Sequence, residues 1–375
     1  LDAAYLNVIK TLLLNDIEDQ KYGKDLHIIY TSLHGTGITL LPKALKNSGF
    51  THISCVEEQC IPNGSFPTVK LPNPEEKAAL ELGIGLLEKE KADLLIANDP
   101  DADRVGVAIL DQGKTVILNG NQIAALLIDF IFEALSDKMP QNAAFVKTIV
   151  TTELFRKIAN THGKECVDVL TGFKYIAEKI REWENTPNSP QYIFGGEESY
   201  GYLFGTLVRD KDAISTSVLL AEAALYAKLQ GKTLIDQLHA IYKKYGCYVE
   251  NVVSVKFEET KAGKEQMQKG MQKLRENPPK ELGGIPVVAL EDYSSSIKFD
   301  AVKNSKEAIT LPKSDVLIFW LQDGSKLIVR PSGTEPKIKI YGSVVIEKFD
   351  NIESAFKLGE KQVNMLTNSL NTILK

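Results

Sequence analysis

The chain has 375 residues, 43% hydrophobic and 25% charged, with a formal net charge of −5. That length supports more than one buried core, and the mild acidity gives no general attraction to nucleic acid or to an anionic membrane. No apolar run reaches the roughly 18 to 20 residues of a membrane span, and no signal-peptide order opens the chain, so a cytoplasmic protein without nucleic-acid or membrane partners is expected.

Residues 1–16 read as an apolar helix within an N-terminal segment, 1–21. A start at Leu1 rather than Met, directly on a helix, predicts a fragment of a longer protein. From His27 onward, short β-rich runs alternate with amphipathic helices, the pattern of α/β layers. The strand HIIY (27–30) enters the glycine-rich turn SLHGTG (32–37) and a helix over 41–47, an arrangement that can cradle phosphate. A buried strand over 93–97 delivers the loop NDPDADR (98–104) at its C-terminal end, where open α/β sheets place ligands.

A boundary near Leu118 separates an α/β domain, 22–117, from a second one, 118–247. The second holds a helix over 122–135, a strand over 145–150, a helix from Glu153, the strand ECVDVL (165–170), TGFKYIAEKI (171–180), GGEESYGYLFG (195–205) and a long helix over 212–229. The remainder, 248–375, changes character, with β-rich runs at 247–257, 285–290 and 315–330, a charged helix around 260–276 and a C-terminal helix from Ile352. The fold class is α/β: two mixed α/β domains followed by a C-terminal α+β domain.

Four scattered cysteines, Cys55, Cys60, Cys166 and Cys247, form no CxxC pair and read as reduced structural thiols. Five scattered histidines leave zinc poorly supplied, and His34 reads as structural. Asp99, Asp101 and Asp103 alternate in one loop, which suits a hard divalent cation or else makes a solvated acidic turn. Arg104 and Leu110 stand where a calcium loop needs glycine and glutamate, and Mg²⁺ fits better. Arg104 either neutralises a transferring phosphoryl group or pairs with the aspartates.

RPSGTEPKIKIY (330–341) gathers guanidinium, hydroxyl and amide donors suited to phosphate, although a polar hairpin has the same composition. In GEESYG (196–201), Glu197 and Ser199 would point the same way on an extended chain and suit vicinal sugar hydroxyls. Lys174 and Lys211 read alone as surface lysines.

Taken in order, LHGTG, DPDADR, TGFK, GEESYG, RDKD and RPSGTEP resemble the α-D-phosphohexomutase family from its second domain onward, from about residue 20 to the C-terminus. The last four motifs are most similar to the phosphoglucomutase and phosphopentomutase branches. The resemblance implies a phosphoserine enzyme that interconverts hexose 1-phosphate and 6-phosphate through a sugar bisphosphate, which also serves as activator. It implies Mg²⁺ on Asp99, Asp101 and Asp103, Arg104 facing the phosphoserine, and Lys211 as acid or base at the reacting hydroxyl. It assigns Lys174, Glu197 and Ser199 to the sugar, and Arg330, Ser332, Gly333 and Thr334 to the non-transferring phosphate, with Lys339 standing where many relatives have arginine. A phosphopentomutase, a phosphomannomutase or a non-catalytic sugar-phosphate binder remains the alternative, with the oligomeric state open.

One departure stands out. The family's TxSHNP-like nucleophile segment is not among these residues, since TSLHG (31–35) and TPNSP (186–190) match neither its order nor its context. The resemblance places it before residue 1, so this chain is expected to bind sugar phosphate without turning it over alone.

Overall fold

The computed structural model describes residues 1–333 and 335–374, which divide into two units, Leu1–Ile241 and Tyr242–Lys375. In chain order the first unit opens with α1 (Asp2–Thr11), α2 (Asp16–Tyr22), β1 (Ile28–Thr31), α3 (Leu41–Asn47), β2 (Ile53–Cys55), α4 (Lys77–Glu90), β3 (Leu94–Asn98), β4 (Val105–Asp111) and β5 (Lys114–Leu118). These strands form a sheet ordered β2-β1-β3-β4-β5, with β1 parallel to both neighbours and β4 and β5 antiparallel. Every residue of β1 and β3 is buried, because a parallel strand covered on both faces needs a continuous apolar run.

The single helix expected over 1–16 is broken. The amides of Leu14 and Asn15, which a continuous helix would give to its own carbonyls, donate instead to the buried Glu222 Oε1 at 2.7 and 2.9 Å. A second helix then restarts at Asp16.

The unit continues with α5 (Gly120–Leu135), β6 (Ala143–Thr148), α6 (Glu153–Thr161), β7 (Glu165–Val169), α7 (Phe173–Glu184), β8 (Gln191–Gly196), β9 (Tyr202–Phe204), α8 (Ala213–Leu229) and α9 (Leu234–Tyr245), in which the division between units falls. Asn119 and Gln122 start α5 with a capping box, and β6 begins two residues before the expected strand. The second sheet runs β7-β6-β8-β9, parallel except at β9. Helix α8 is apolar almost all round and touches α3, β3 and β4 of the first sheet layer and α5 and β9 of the second, so it is the shared core of the unit.

The second unit contains β10 (Cys247–Lys256), α10 (Lys261–Glu276), β11 (Glu281–Leu282), β12 (Ile285–Asp292), β13 (Ile297–Asp300), β14 (Ser305–Ala308), β15 (Leu317–Leu321), β16 (Lys326–Pro331), β17 (Lys337–Ile346) and α11 (Ile352–Leu374). Its sheet is ordered β10-β17-β16-β15-β12-β13-β14, with β11 on β12 and antiparallel pairing throughout. The β-rich run expected over 315–330 is a hairpin turning at Gly324 (φ 84°), and the hairpin β13–β14 was not expected from its polar, exposed residues. The class is the expected one, mixed α/β sheets followed by an α+β part. Among the described residues, no helix is long and apolar enough to cross a membrane.

Candidate active site

The loop after β3 starts from Asn98, fully buried, whose side chain meets Tyr30 Oη at 3.2 Å, the Arg104 carbonyl at 3.2 Å and Ser217 Oγ on α8 at 3.4 Å. One side chain thus ties both ends of the loop to the core. Asp99 Oδ1 accepts the amides of Asp103 and Arg104 at 3.0 and 2.8 Å, which curls the chain back on itself. Ala102 sits at φ 57°, a left-handed conformation costing about 1 kcal/mol, and turns the loop so that the flanking aspartates converge. One ligand oxygen from each of Asp99, Asp101 and Asp103 lies within 4.8 Å of the others.

The charge balance favours a cation there. Burial pushes the Asp99 carboxyl up to about 7 despite its amide donors, and the charges of Asp103 and Asp101 add to the rise. Asp103 Oδ1 is buried and accepts no hydrogen bond. A buried carboxylate oxygen without a donor, beside two more carboxylates, fits a small oxygen-seeking divalent ion.

Arg104 is held on one side by Glu75 Oε1 at 2.8 Å, and its Nε lies 3.7 Å from both Asp99 and Asp103. Lys211 Nζ lies 3.0 Å from Asp103 Oδ2. Burial would lower this ammonium, but the hydrogen bond and charge of Asp103 outweigh it and hold Lys211 above its ordinary value. The lysine stem crosses the GEESYG segment at Gly201, where a Cβ would stand 2.1 Å from Lys211 Cδ, so this position has no room for a side chain. The next residue, Asp212, caps α8 and accepts the Tyr5 hydroxyl at 2.7 Å.

Glu197 leaves the end of β8 buried, with Oε1 accepting the Gly172 amide at 2.8 Å, so the TGFK and GEESYG segments meet. Burial raises its carboxyl, opposed by the Gly172 amide and by the charges of Lys211 and Arg104. The Glu197 amide donates to the Gly201 carbonyl at 2.8 Å and Tyr200 takes φ 68°. Residues 197–200 are therefore a tight turn, and the expected extended geometry for Glu197 and Ser199 is not found. Ser199 is half-buried, while Lys174 is exposed with Nζ 4.9 Å from the Tyr175 ring centre.

The SLHGTG turn does not present a phosphate cradle. Three of its amides are taken: His34 donates to the Gln59 carbonyl at 2.7 Å, Gly35 to Ser32 at 2.7 Å and Thr36 to Pro100 at 2.8 Å. Gly35 is required because a Cβ would meet Pro100 Cα at 2.2 Å. The turn braces the aspartate loop, and both ring nitrogens of His34 are engaged, by the Ile61 carbonyl and Thr68.

A cavity of about 530 Å³ opens beside this cluster, lined in part by Tyr5, Gly37, Asp101, Ala102, Arg209 and Lys211. Another of about 640 Å³, around Leu135, Ile180 and Trp183, contains none of the loop carboxylates. Sequence reasoning missed Tyr5, Glu75, Asn98 and Gly172. Asn98 carried a signal as a polar residue ending an apolar strand, and Gly172 as part of TGFK.

In the second unit, Arg330 and Lys339 are direct cross-strand partners on β16 and β17. The turn between them is fixed by the Ser332 amide on the Lys337 carbonyl at 2.8 Å, and by the Glu335 amide on Ser332 Oγ at 3.3 Å. Gly333 is exposed, and Thr334 lies outside the described residues. Two cations directly opposite on one face repel, which leaves a favourable place for an anion.

Residues 3–113 match the family profile "Phosphoglucomutase/phosphomannomutase, alpha/beta/alpha domain II", and 119–245 match domain III of the same family. The chain belongs to the α-D-phosphohexomutase family. Among phosphohexomutase relatives, the phosphoglucomutase of Staphylococcus haemolyticus is 39% identical over 350 residues, covering 93% of this chain and 62% of the relative. That of Staphylococcus aureus strain MRSA252 is 40% identical over 329 residues, covering 88% and 58%. The chain thus spans about six tenths of the length of these curated relatives. The open form of the phosphoglucomutase parafusin from Paramecium has the same fold, with a TM-score of 0.67 at 17% identity over 99% of this chain and 62% of that one.

Proposed function

We propose that this chain supplies the metal, sugar and phosphate recognition of a phosphoglucomutase-type reaction. In it, hexose 1-phosphate and 6-phosphate interconvert through a phosphoserine and a sugar bisphosphate. The observation that carries this reading is the meeting of the Asp99, Asp101 and Asp103 oxygens with Lys211, Arg104 and Glu197, at the C-terminal ends of parallel strands. Glucose is favoured because both Staphylococcus relatives are named phosphoglucomutases.

Mg²⁺ on the three aspartates would supply charge neutralisation for the transferring phosphoryl group. Arg104, oriented by Glu75, offers guanidinium donors to the same group. Lys211 holds a proton beside the loop and is the candidate acid or base at the reacting hydroxyl. Glu197, with one oxygen fixed by Gly172, offers the other to a sugar hydroxyl, with Ser199 in the same turn and Lys174 at the start of α7. Arg330 and Lys339, with Ser332, Gly333 and Thr334, are proposed to hold the distal phosphate.

Calorimetric titration with the 1-phosphates of glucose, mannose and ribose in the presence of Mg²⁺ tests the reading. Glucose 1-phosphate should bind most tightly, and equal affinity for all three contradicts the assignment. Because the family's serine segment is not among the 375 residues, this polypeptide alone should give no turnover. Conversion by the purified chain would overturn that part.

A further inference from the structure

Arg330 and Lys339 share their face of the second-unit sheet with further cations. Lys337 lies two residues before Lys339 on β17, so both side chains leave the same side of the strand. The antiparallel register sets Lys256 of β10 directly opposite Lys337, and Ser254 directly opposite Lys339. Ser254, Lys339 and Arg330 therefore form one row across β10, β17 and β16, with Lys256 and Lys337 beside it. The intervening Val255, Ile338 and Ile340 are buried on the other side, whereas Ser254 and Lys256 are exposed.

Two like-charge pairs thus stand side by side, Lys256 with Lys337 and Arg330 with Lys339. Opposed cations repel, so strand pairing by itself does not favour this arrangement. A carboxylate from the turn answers the charge: Glu335 pairs with the Lys337 ammonium. The hydrogen bond and charge of Lys337, joined by the charges of Lys256 and Lys339, hold the Glu335 carboxyl below its ordinary value. Glu335 is exposed, and an exposed ion pair is weak enough for a stronger anion to displace it. A phosphate monoester is that stronger anion, with roughly twice the charge of a carboxylate and one more acceptor oxygen.

We propose that Lys256 is a further phosphate-binding residue of this face, and that Glu335 is its resident counter-ion, displaced when a phosphate binds. The inference rests on the reading of Arg330 and Lys339 as holders of the distal phosphate. It adds to that reading a residue from a separate strand and an internal competitor. Displacement of Glu335 frees Lys337, so the bound phosphate meets Lys337 as well as Lys256, Lys339 and Arg330. Affinity is then a difference between two anions, which favours a phosphate monoester over a ligand that offers only a carboxylate.

Calorimetric titration of the full chain with glucose 1-phosphate tests this, with Arg330→Ala as the reference variant. Glu335→Gln should tighten binding about threefold, the scale of one exposed ion pair, because the competitor is lost and Lys337 is released. Lys256→Gln should weaken binding about threefold, and Lys256→Arg, which keeps the charge, should restore it. In wild type, saturating glucose 1-phosphate should also protect Lys256 from acetylation, a readout that needs no variant to fold. If Arg330→Ala loses affinity while Glu335→Gln fails to gain it, or while Lys256→Gln matches wild type, the inference is overturned and the phosphate reading stands. Acetylation of Lys256 at the same rate with and without ligand overturns it too. Unchanged binding in Arg330→Ala, Glu335→Gln and Lys256→Gln alike, or no binding by wild type, overturns both.

Discussion

Lys211 Nζ sits 3.0 Å from Asp103 Oδ2, so the proposed acid–base lysine and the proposed cation draw on the same carboxylate. A cation bound to this carboxylate loosens the lysine, and the lysine in turn weakens the site for the cation. Removing the ammonium should therefore tighten metal binding. Lys211→Met is expected to raise Mg²⁺ affinity by about 1 kcal/mol, roughly fivefold, the scale of a partly exposed ion pair. Calorimetric titration reads this directly, and weaker binding in the variant would show that the lysine supports the site instead.

Arg330 and Lys339 face each other across β16 and β17, and the phosphate reading makes Arg330 the stronger contact. Arg330→Ala should weaken glucose 1-phosphate binding by about 1–3 kcal/mol through loss of charge-assisted hydrogen bonds. Arg330→Lys should fall between, since it keeps the charge and loses the fork. The unfolding midpoint should not drop, because the change removes a like-charge pair. Unchanged affinity with lowered stability would assign Arg330 a structural role.

Lys147 is fully buried in β6, with its ammonium 3.0 Å from Glu153, 2.9 Å from Asp168 and 3.1 Å from the Thr151 carbonyl. Despite burial, the two carboxylates keep it charged. Lys147→Met leaves those acceptors behind and should cost about 3 kcal/mol, toward the low end for a broken buried pair because Arg156 still meets both carboxylates. Urea unfolding measures it.

Asp19 on α2 and Glu222 on α8 are buried acids, and the charge of Glu222 acts on Asp19. Burial, then the Glu222 charge, lifts Asp19 to about 9, and burial lifts Glu222 to about 7 against its amide donors. Both folded values exceed the unfolded carboxylate value near 4, so the folded chain retains protons that the unfolded chain releases. This contribution to stability is complete below about pH 4 and is lost as pH rises through about 7 and 9. Urea midpoints should fall from pH 5.5 to 9, and Asp19→Asn should flatten the slope. An equal slope in the variant would exclude the pair as its source.

Much of this architecture was legible in the chain. The apolar runs that became β1 and β3, the helix that became α8 and the alternating aspartates each act locally, within a few residues of the feature they produce. What was hidden depends on distant partners. The break after Thr11 is made by Glu222, about two hundred residues away, and Arg104 is oriented by Glu75 from an irregular segment. SLHGTG looked like a phosphate turn because sequence shows its amides but not Gln59 and Pro100, which consume them. The hairpin β13–β14 lacked an apolar face and left no periodic trace.

Asp101 is exposed, whereas Asp99 accepts two backbone amides, so Asp101 alone in the loop can be altered with little effect on folding. Calorimetric Mg²⁺ titration of Asp101→Asn is therefore the most direct test of the site. The predicted result is at least tenfold weaker binding with an unchanged unfolding midpoint. Unchanged Mg²⁺ affinity in a folded variant would contradict the aspartate loop as a metal site.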